Sequence, residues 1–148
     1  MTKSINHFLR YAFLAVAMLV ASTATAKKVV VPQMYMFGFA ASFNDTIVHF
    51  TNIQKVDSVW VDAKTRFLAD REIYSSQMQQ YLSNQQMPYR TCVVIYAETR
   101  EKAEKKYIKL RRLYVSPKKN QRQRYEVRYI EDDKFRFHSV DLSEIGTE

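Results

Sequence analysis

Apolar residues along this chain follow several distinct patterns, and each predicts a different element. Met34 to Phe43 (MYMFGFAASF) and Thr46 to Ile53 (TIVHFTNI) are rich in aromatic and β-branched residues. Asn44-Asp45 separates them, and both residues tolerate the positive φ that a tight hairpin turn demands. A two-residue loop makes the numbers of cross-strand partners sum to 89. That register places Phe37, Phe39, Ala41, Phe43, Val48 and Phe50 on one face, expected to be core. Met36, Gly38, Ala40, Ile47, His49, Thr51 and Ile53 fall on the other, a mixed face with a small-residue patch at Gly38 and Ala40 beside His49.

Helical spacing appears twice. Tyr74, Met78, Tyr81 and Leu82 follow Asp70, an N-cap by residue type, and run to the stop Gln85-Gln86-Met87-Pro88, with Phe67 and Leu68 as an extension or a staple. Ala103, Tyr107, Leu110 and Tyr114 form a second, narrower stripe behind Thr99 as cap, with Pro117 just past its end. Between the helices, Arg90 to Ala97 is apolar at successive positions, as expected of a central strand covered on both faces. Gln54 to Lys64 has room for a short extra strand at Ser58 to Val61. Tyr125 to Ile130 and Phe135 to Asp141 read as a last strand pair around Glu131 to Lys134, with an odd loop aligning Tyr125, Val127 and Tyr129 with Phe135 and Phe137.

The expectation is an α+β fold: a single two-layer domain of order ββαβαββ, with a mixed sheet of about five strands. Right-handed crossovers set both helices on one face if the strands progress consistently across the sheet. The other face would then expose Met36, Ala40 and Ile47, with part of Val93 or Ile95, as an oligomer contact or a ligand groove.

One apolar run has no period at all. Tyr11 to Ala21 is uninterrupted, follows Lys3 and Arg10, and precedes Ser22-Thr23-Ala24-Thr25-Ala26, an A-x-A cleavage site. Residues 1–26 therefore read as a cleavable signal peptide, with the mature chain starting at Lys27 and exported to the periplasm or the outside. Eleven apolar residues fall short of the ~20 that span a bilayer, so no transmembrane anchor is expected after cleavage. No cysteine stands directly after the run to accept a lipid.

Residues 27–148 suffice for one domain, and with Cys92 alone no internal disulfide can form, so packing must hold it. Two glycines and three prolines leave no flexible linker. Charge is concentrated: Glu98 to Arg124 holds eleven Lys or Arg against three acids, whereas the remainder of residues 27–148 sums to −2. With the stripe inward, Lys105, Lys109 and Arg112 face solvent and continue into Lys118, Lys119, Arg122 and Arg124. This basic helix and loop suits an anionic glycan, a lipid head group or an acidic protein. Nucleic acid is disfavoured, because the interleaved Tyr107 and Tyr114 lie in the inward stripe and export removes the chain from most of it.

Catalytic signatures are sparse. The chain has no H-E-x-x-H, C-x-x-C, G-x-S-x-G or glycine-rich phosphate loop, and no cofactor or metal site is expected. His49 and His138 are strand histidines by position, and two histidines without a third ligand hold no zinc. Cys92 lies in an apolar strand, where burial suppresses the thiolate. Glu131 to Asp133 fit a turn. Asn44-Asp45-Thr46 is formally a glycosylation sequon as well as a hairpin turn.

With its export signal, single cysteine and lack of a catalytic motif, the chain resembles small exported bacterial proteins of unassigned activity. That is a likeness of kind, and it brings no site residues with it. The leading reading is a non-enzymatic binding or assembly module, including a homo-oligomer, that uses the open sheet face and the basic helix. The alternative is a small exported hydrolase or transferase pairing His49 with a carboxylate from Asp57 or Asp62.

Overall fold

The computed structural model describes residues 27–116 and 124–143. Residues 1–26, read from the sequence as a signal peptide, together with Pro117, Lys118, Lys119 and Arg122, lie outside the described residues. The elements are β1 (Lys28–Ala41), β2 (Ile47–Thr51), β3 (Gln54–Asp62), α1 (Arg71–Asn84), β4 (Thr91–Ala97), α2 (Arg100–Val115) and β5 (Glu126–Ile130). They form one α+β domain with a mixed five-stranded sheet. No described helix is long and apolar enough to cross a membrane.

The long strand β1 organises the sheet. Tyr35 and Met36 pair with Lys55 and Gln54 and also with Ala97 and Tyr96. Phe39 and Ala40 pair with Phe50 and His49 and also with Val93 and Cys92. β2 and β3 therefore lie end to end along one edge of β1, and β4 takes the other. β5 adds to β2 in parallel. The hairpin register is the expected one, with Phe39 opposite Phe50 and Ala40 opposite His49, although the loop widens beyond Asn44-Asp45. Partner numbers sum to 89 in β2 and to 90 in β3, so the chain slips one residue at Asn52-Ile53.

Farther along, both strands of the β1–β3 ribbon change phase together. Met34, Met36, Gln54 and Val56 are buried before the switch and Val31, Val59 and Val61 after it. At the switch Pro32 faces Ser58, whose φ is 55°. The extra strand expected at Ser58 to Val61 is thus a full nine-residue strand.

The helices lie on opposite faces. Phe37 stacks edge-on against Tyr107 of α2, with ring centroids 5.0 Å apart, while its neighbour Gly38 turns toward Met78 of α1. The pairing makes β3, β4 and β5 parallel in direction. The path through α1 carries the chain across β1 to β4, and the path through α2 carries it back across β1 and β2 to β5. Right-handed crossovers running in opposite senses put their helices on opposite faces. The strands do not progress consistently, so the condition for a shared face is not met.

This removes the open apolar face. Met36 and Ala40 are fully buried and Ile47 is partly buried, and the first two belong to the core with Tyr74, Met78 and Leu82 of α1. The patch at Gly38 and Ala40 is where α1 docks. A methyl group on Gly38 would strike the Met78 sulfur and crowd the Phe137 ring and the Thr51 methyl, each at 3.2 Å. On the other face, Phe37, Phe39 and Phe50 meet Tyr107 and Tyr114 in an aromatic layer. Each such pair adds about 0.5–1.5 kcal/mol beyond its area burial.

Two further expectations change. Asp70 stands at the N-cap of α1 in the left-handed region (φ 48°) and does not cap; its carboxylate accepts from Lys28 Nζ at 2.8 Å. The segment 135–141 is not a strand, and Phe135 and Phe137 pack on the α1 face whereas Tyr129 stacks toward Phe50 on the α2 face. Side-chain amides replace a strand partner here. Gln54, 5% exposed, donates from Nε2 to the Phe135 carbonyl (2.8 Å) and accepts at Oε1 from the Phe137 N–H (2.8 Å). Gln77 of α1 does the same for His138, donating at 3.0 Å and accepting at 2.9 Å. Backbone groups that a ladder would have paired are thereby satisfied.

Candidate functional site

The basic surface is built on α2. Thr99 caps the helix as expected, its Oγ1 accepting from Lys102 N at 3.3 Å. Ala103 is buried, Tyr107, Leu110 and Tyr114 are half-buried, and Lys105, Lys109 and Arg112 point to solvent as the spacing required. Lys102 joins them, a position the inward stripe already implied but that sequence reading did not single out. Lys105 pairs with Glu101 at 2.8 Å and Arg100 with Glu104 at 3.0 Å. Lys102, Lys109 and Arg112 have no carboxylate partner among the described residues. Exposed Ile108 and Leu113 flank the ridge.

The other cations of α2 are used inward. Lys106 Nζ donates to the Tyr96 carbonyl at 2.8 Å and lies 5.7 Å from that ring's centroid, while Arg111 Nε donates to the Tyr129 hydroxyl at 2.6 Å. These bonds tie the helix to β4 and β5. Arg124, just before β5, is exposed.

His49 is 3% exposed on β2, opposite Ala40 of β1 and Arg128 of β5. Its pKa is lowered to about 4, by burial first and then by the charges of Arg90 and Arg128, against smaller upward pulls from Asp45 and Glu126. Its Nδ1 and the Nε of Arg90 are buried without a hydrogen-bond partner among the described residues. Arg90 donates to the Ile47 carbonyl (2.9 Å) and to Asp45 Oδ2 (2.6 Å), and Asp45 Oδ1 accepts from Ile47 N (2.9 Å). The Ile47 N–H, then Arg90, holds the Asp45 carboxyl below the usual carboxylate range. The cluster clamps the hairpin turn to the start of β4.

The carboxylates proposed to work with His49 lie elsewhere. Asp57 faces Gln33, seven positions along β1 from Ala40, which at ~3.3 Å per residue is about 23 Å away. It pairs with Lys55 at 3.2 Å. Asp62 folds a turn by accepting from Lys64 N, Thr65 N and Thr65 Oγ1. The His49–carboxylate pair of the enzymatic alternative therefore does not assemble with either residue. His138 is exposed beyond Phe137, and no group of three metal-ligating side chains occurs among the described residues. Glu131 to Asp133 form the expected turn, closed by Lys134 N donating to the Glu131 carbonyl.

Cys92 is half-buried rather than interior, and it borders a shallow polar pocket of about 300 Å³ with Arg71, Ser75 and Gln79. Burial pushes its thiol up to about 11, leaving on the order of one thiolate in ten thousand at pH 7. Labelling of the native protein by iodoacetamide should be slow at neutral pH, should quicken about tenfold per pH unit toward 10, and should become fast at pH 8 once the chain is unfolded in urea. Rapid native labelling with a midpoint near an ordinary thiol value would show that the Cys92 thiol is available as a nucleophile.

With this geometry in place, comparison with known proteins finds no family model, no curated protein and no solved structure that matches the chain, so its function is read from its own side chains.

Proposed function

We propose that this chain is an exported, non-enzymatic binding module that engages an anionic partner through the outer face of α2. The observation carrying this reading is the ridge Lys102, Lys105, Lys109 and Arg112, of which three cations lack a carboxylate partner among the described residues. A helix face whose charges are not neutralised at home attracts an anionic surface, and its inward stripe keeps it rigid against the sheet. Assembly through an open sheet face is no longer part of the reading, since that face is filled by α1.

The test compares the wild type with the triple variant Lys105→Glu, Lys109→Glu, Arg112→Glu on a sulfated polysaccharide matrix. Wild type should be retained at low salt and elute as salt rises, because exposed charges act over roughly 10 Å at 0.1 M ionic strength and about 3 Å at 1 M. The variant should flow through while melting within about 5 °C of wild type, because the three side chains lie outside the core and each reversal, including loss of the exposed Lys105–Glu101 pair, costs on the order of 0.5 kcal/mol. A variant that melts normally and is retained like wild type would leave the ridge as a merely solvated face.

A further inference from the structure

A cavity of about 520 Å³ lies where the loop after β3, the end of β4 and the first turns of α2 meet. Its volume is within the roughly 300–1,000 Å³ typical of small-molecule sites. Met34, Phe67, Tyr96 and Ala97 supply an apolar floor and wall. Phe67 is 67% exposed although the adjacent Leu68 is buried in the core. The loop sets this arrangement: Asp62 gathers the N–H groups of Lys64 and Thr65, Arg66 takes the left-handed region at φ 62°, and Arg66 Nε is fixed to Glu98 at 3.0 Å. A large ring is thereby held out over the groove rather than folded inward, at some backbone cost.

The rim is cationic. Arg66 and Glu98 neutralise one another and Lys105 is paired with Glu101, which leaves Lys102 and Lys106 as charges with no carboxylate partner. Lys106 is held beside the apolar wall by the Tyr96 carbonyl and ring. An apolar trough with unneutralised ammonium groups at one side is complementary to a molecule with an apolar body and an anionic head. A small inorganic anion would leave the apolar wall unused, and a neutral hydrocarbon would leave the cations unused.

We infer that this groove binds an amphiphilic anion, its apolar part against Phe67 and Tyr96 and its carboxylate, sulfate or phosphate head at Lys102 and Lys106. The inference rests on the reading of α2 as the contact helix and names the ligand class taken at one end of that surface. The anion has two possible sources, a free amphiphile or the head-group region of an anionic bilayer.

The probe is anilinonaphthalene sulfonate fluorescence on the folded protein, with displacement by dodecanoate below its micellar concentration and by dodecanol as the uncharged control. Wild type should bind the probe saturably, and dodecanoate should displace it at least tenfold more effectively than dodecanol. Lys102→Glu should weaken dodecanoate by about tenfold, the size expected for one charge-assisted contact turned repulsive, and Phe67→Ala by about fivefold. The pair Lys109→Glu, Arg112→Glu, which does not line the groove, should leave dodecanoate binding unchanged while reducing retention on the sulfated matrix. The failure of the ridge and the failure of the groove are therefore seen separately.

Flotation with phosphatidylglycerol vesicles, compared with phosphatidylcholine vesicles, distinguishes the sources. Capture by the anionic vesicles that is lost in Phe67→Ala indicates bilayer insertion, and displacement by free dodecanoate without capture indicates a soluble ligand. Lack of saturable binding in both assays, equal displacement by dodecanol, or wild-type behaviour of both groove variants would each overturn the inference.

Discussion

Gln54→Leu should destabilise the protein by about 2–4 kcal/mol, the cost of leaving the buried Phe135 carbonyl and Phe137 N–H without partners at ~1–3 kcal/mol each. For a domain of this size the melting temperature should fall on the order of 10 °C. The side chain is similar in volume, so lost packing adds little. Gln54→Glu separates the two halves of the interaction. A carboxylate still accepts from Phe137 N but meets the Phe135 carbonyl and the Asp132 carboxylate, from which it is repelled. Its protonated form can donate again, so the deficit of Gln54→Glu relative to wild type should shrink between pH 7 and pH 4, whereas that of Gln54→Leu should not. Urea titrations at the two pH values measure both effects. If Gln54→Leu melts within about 2 °C of wild type, the amide is not what holds the C-terminal segment on the α1 face.

Acidification should cost the protein stability before most carboxylates titrate. His49 has a folded pKa of about 4 against ~6.5 in the unfolded chain, so below 6.5 the unfolded state binds a proton that the native state refuses. The loss accumulates as pH falls from about 6.5 to about 4, and it levels off below the folded value because both states are then protonated. A shift of that size corresponds to roughly 3 kcal/mol across the window. The sign follows from its surroundings: protonation would place a charge in a site shielded from water and facing Arg90 and Arg128.

Asp45, Asp62 and Asp141 act in the next window down. Their folded carboxyls are held below the ordinary value by hydrogen bonds, so their contributions are lost only as pH falls below about 4. His49→Gln should flatten the stability profile between pH 6.5 and pH 4 and leave the steeper fall below pH 4 in place. Chemical denaturation at half-unit pH intervals resolves the two regions. An identical slope in wild type and variant would show that the imidazole titrates normally.

The same residues show which features were legible in one dimension. The hairpin register, with Ala40 opposite His49, followed from alternation and turn chemistry because partners are close in sequence and a one-residue slip would reverse every side chain. The stripes of α1 and α2 and the Thr99 cap were legible for the same reason, since helical periodicity and capping are local. Burial of the Cys92 neighbourhood was legible only in part. An apolar run names a strand, but which edge of the sheet it occupies determines how far it is covered.

Placement of the helices could not be read locally. It depends on β4 joining one edge of β1 and β5 joining the far side of β2, which reverses the direction of the second crossover and sends α2 to the opposite face. The face judged open thereby became the docking surface of α1. Anchoring of residues 135–138 was hidden for a related reason: a glutamine side chain can mimic a strand edge only where it is buried beside the segment it holds, and Gln54 lies 81 residues from Phe135. The basic ridge was legible because charge and helical spacing are both written in order along the chain. The groove beside it was not, because its walls come from the loop after β3, the end of β4 and the start of α2. Sequence by itself determined the short-range register, stripes and charge of this protein, whereas long-range pairing decided which surfaces are covered, since coverage depends on which distant segments pack together.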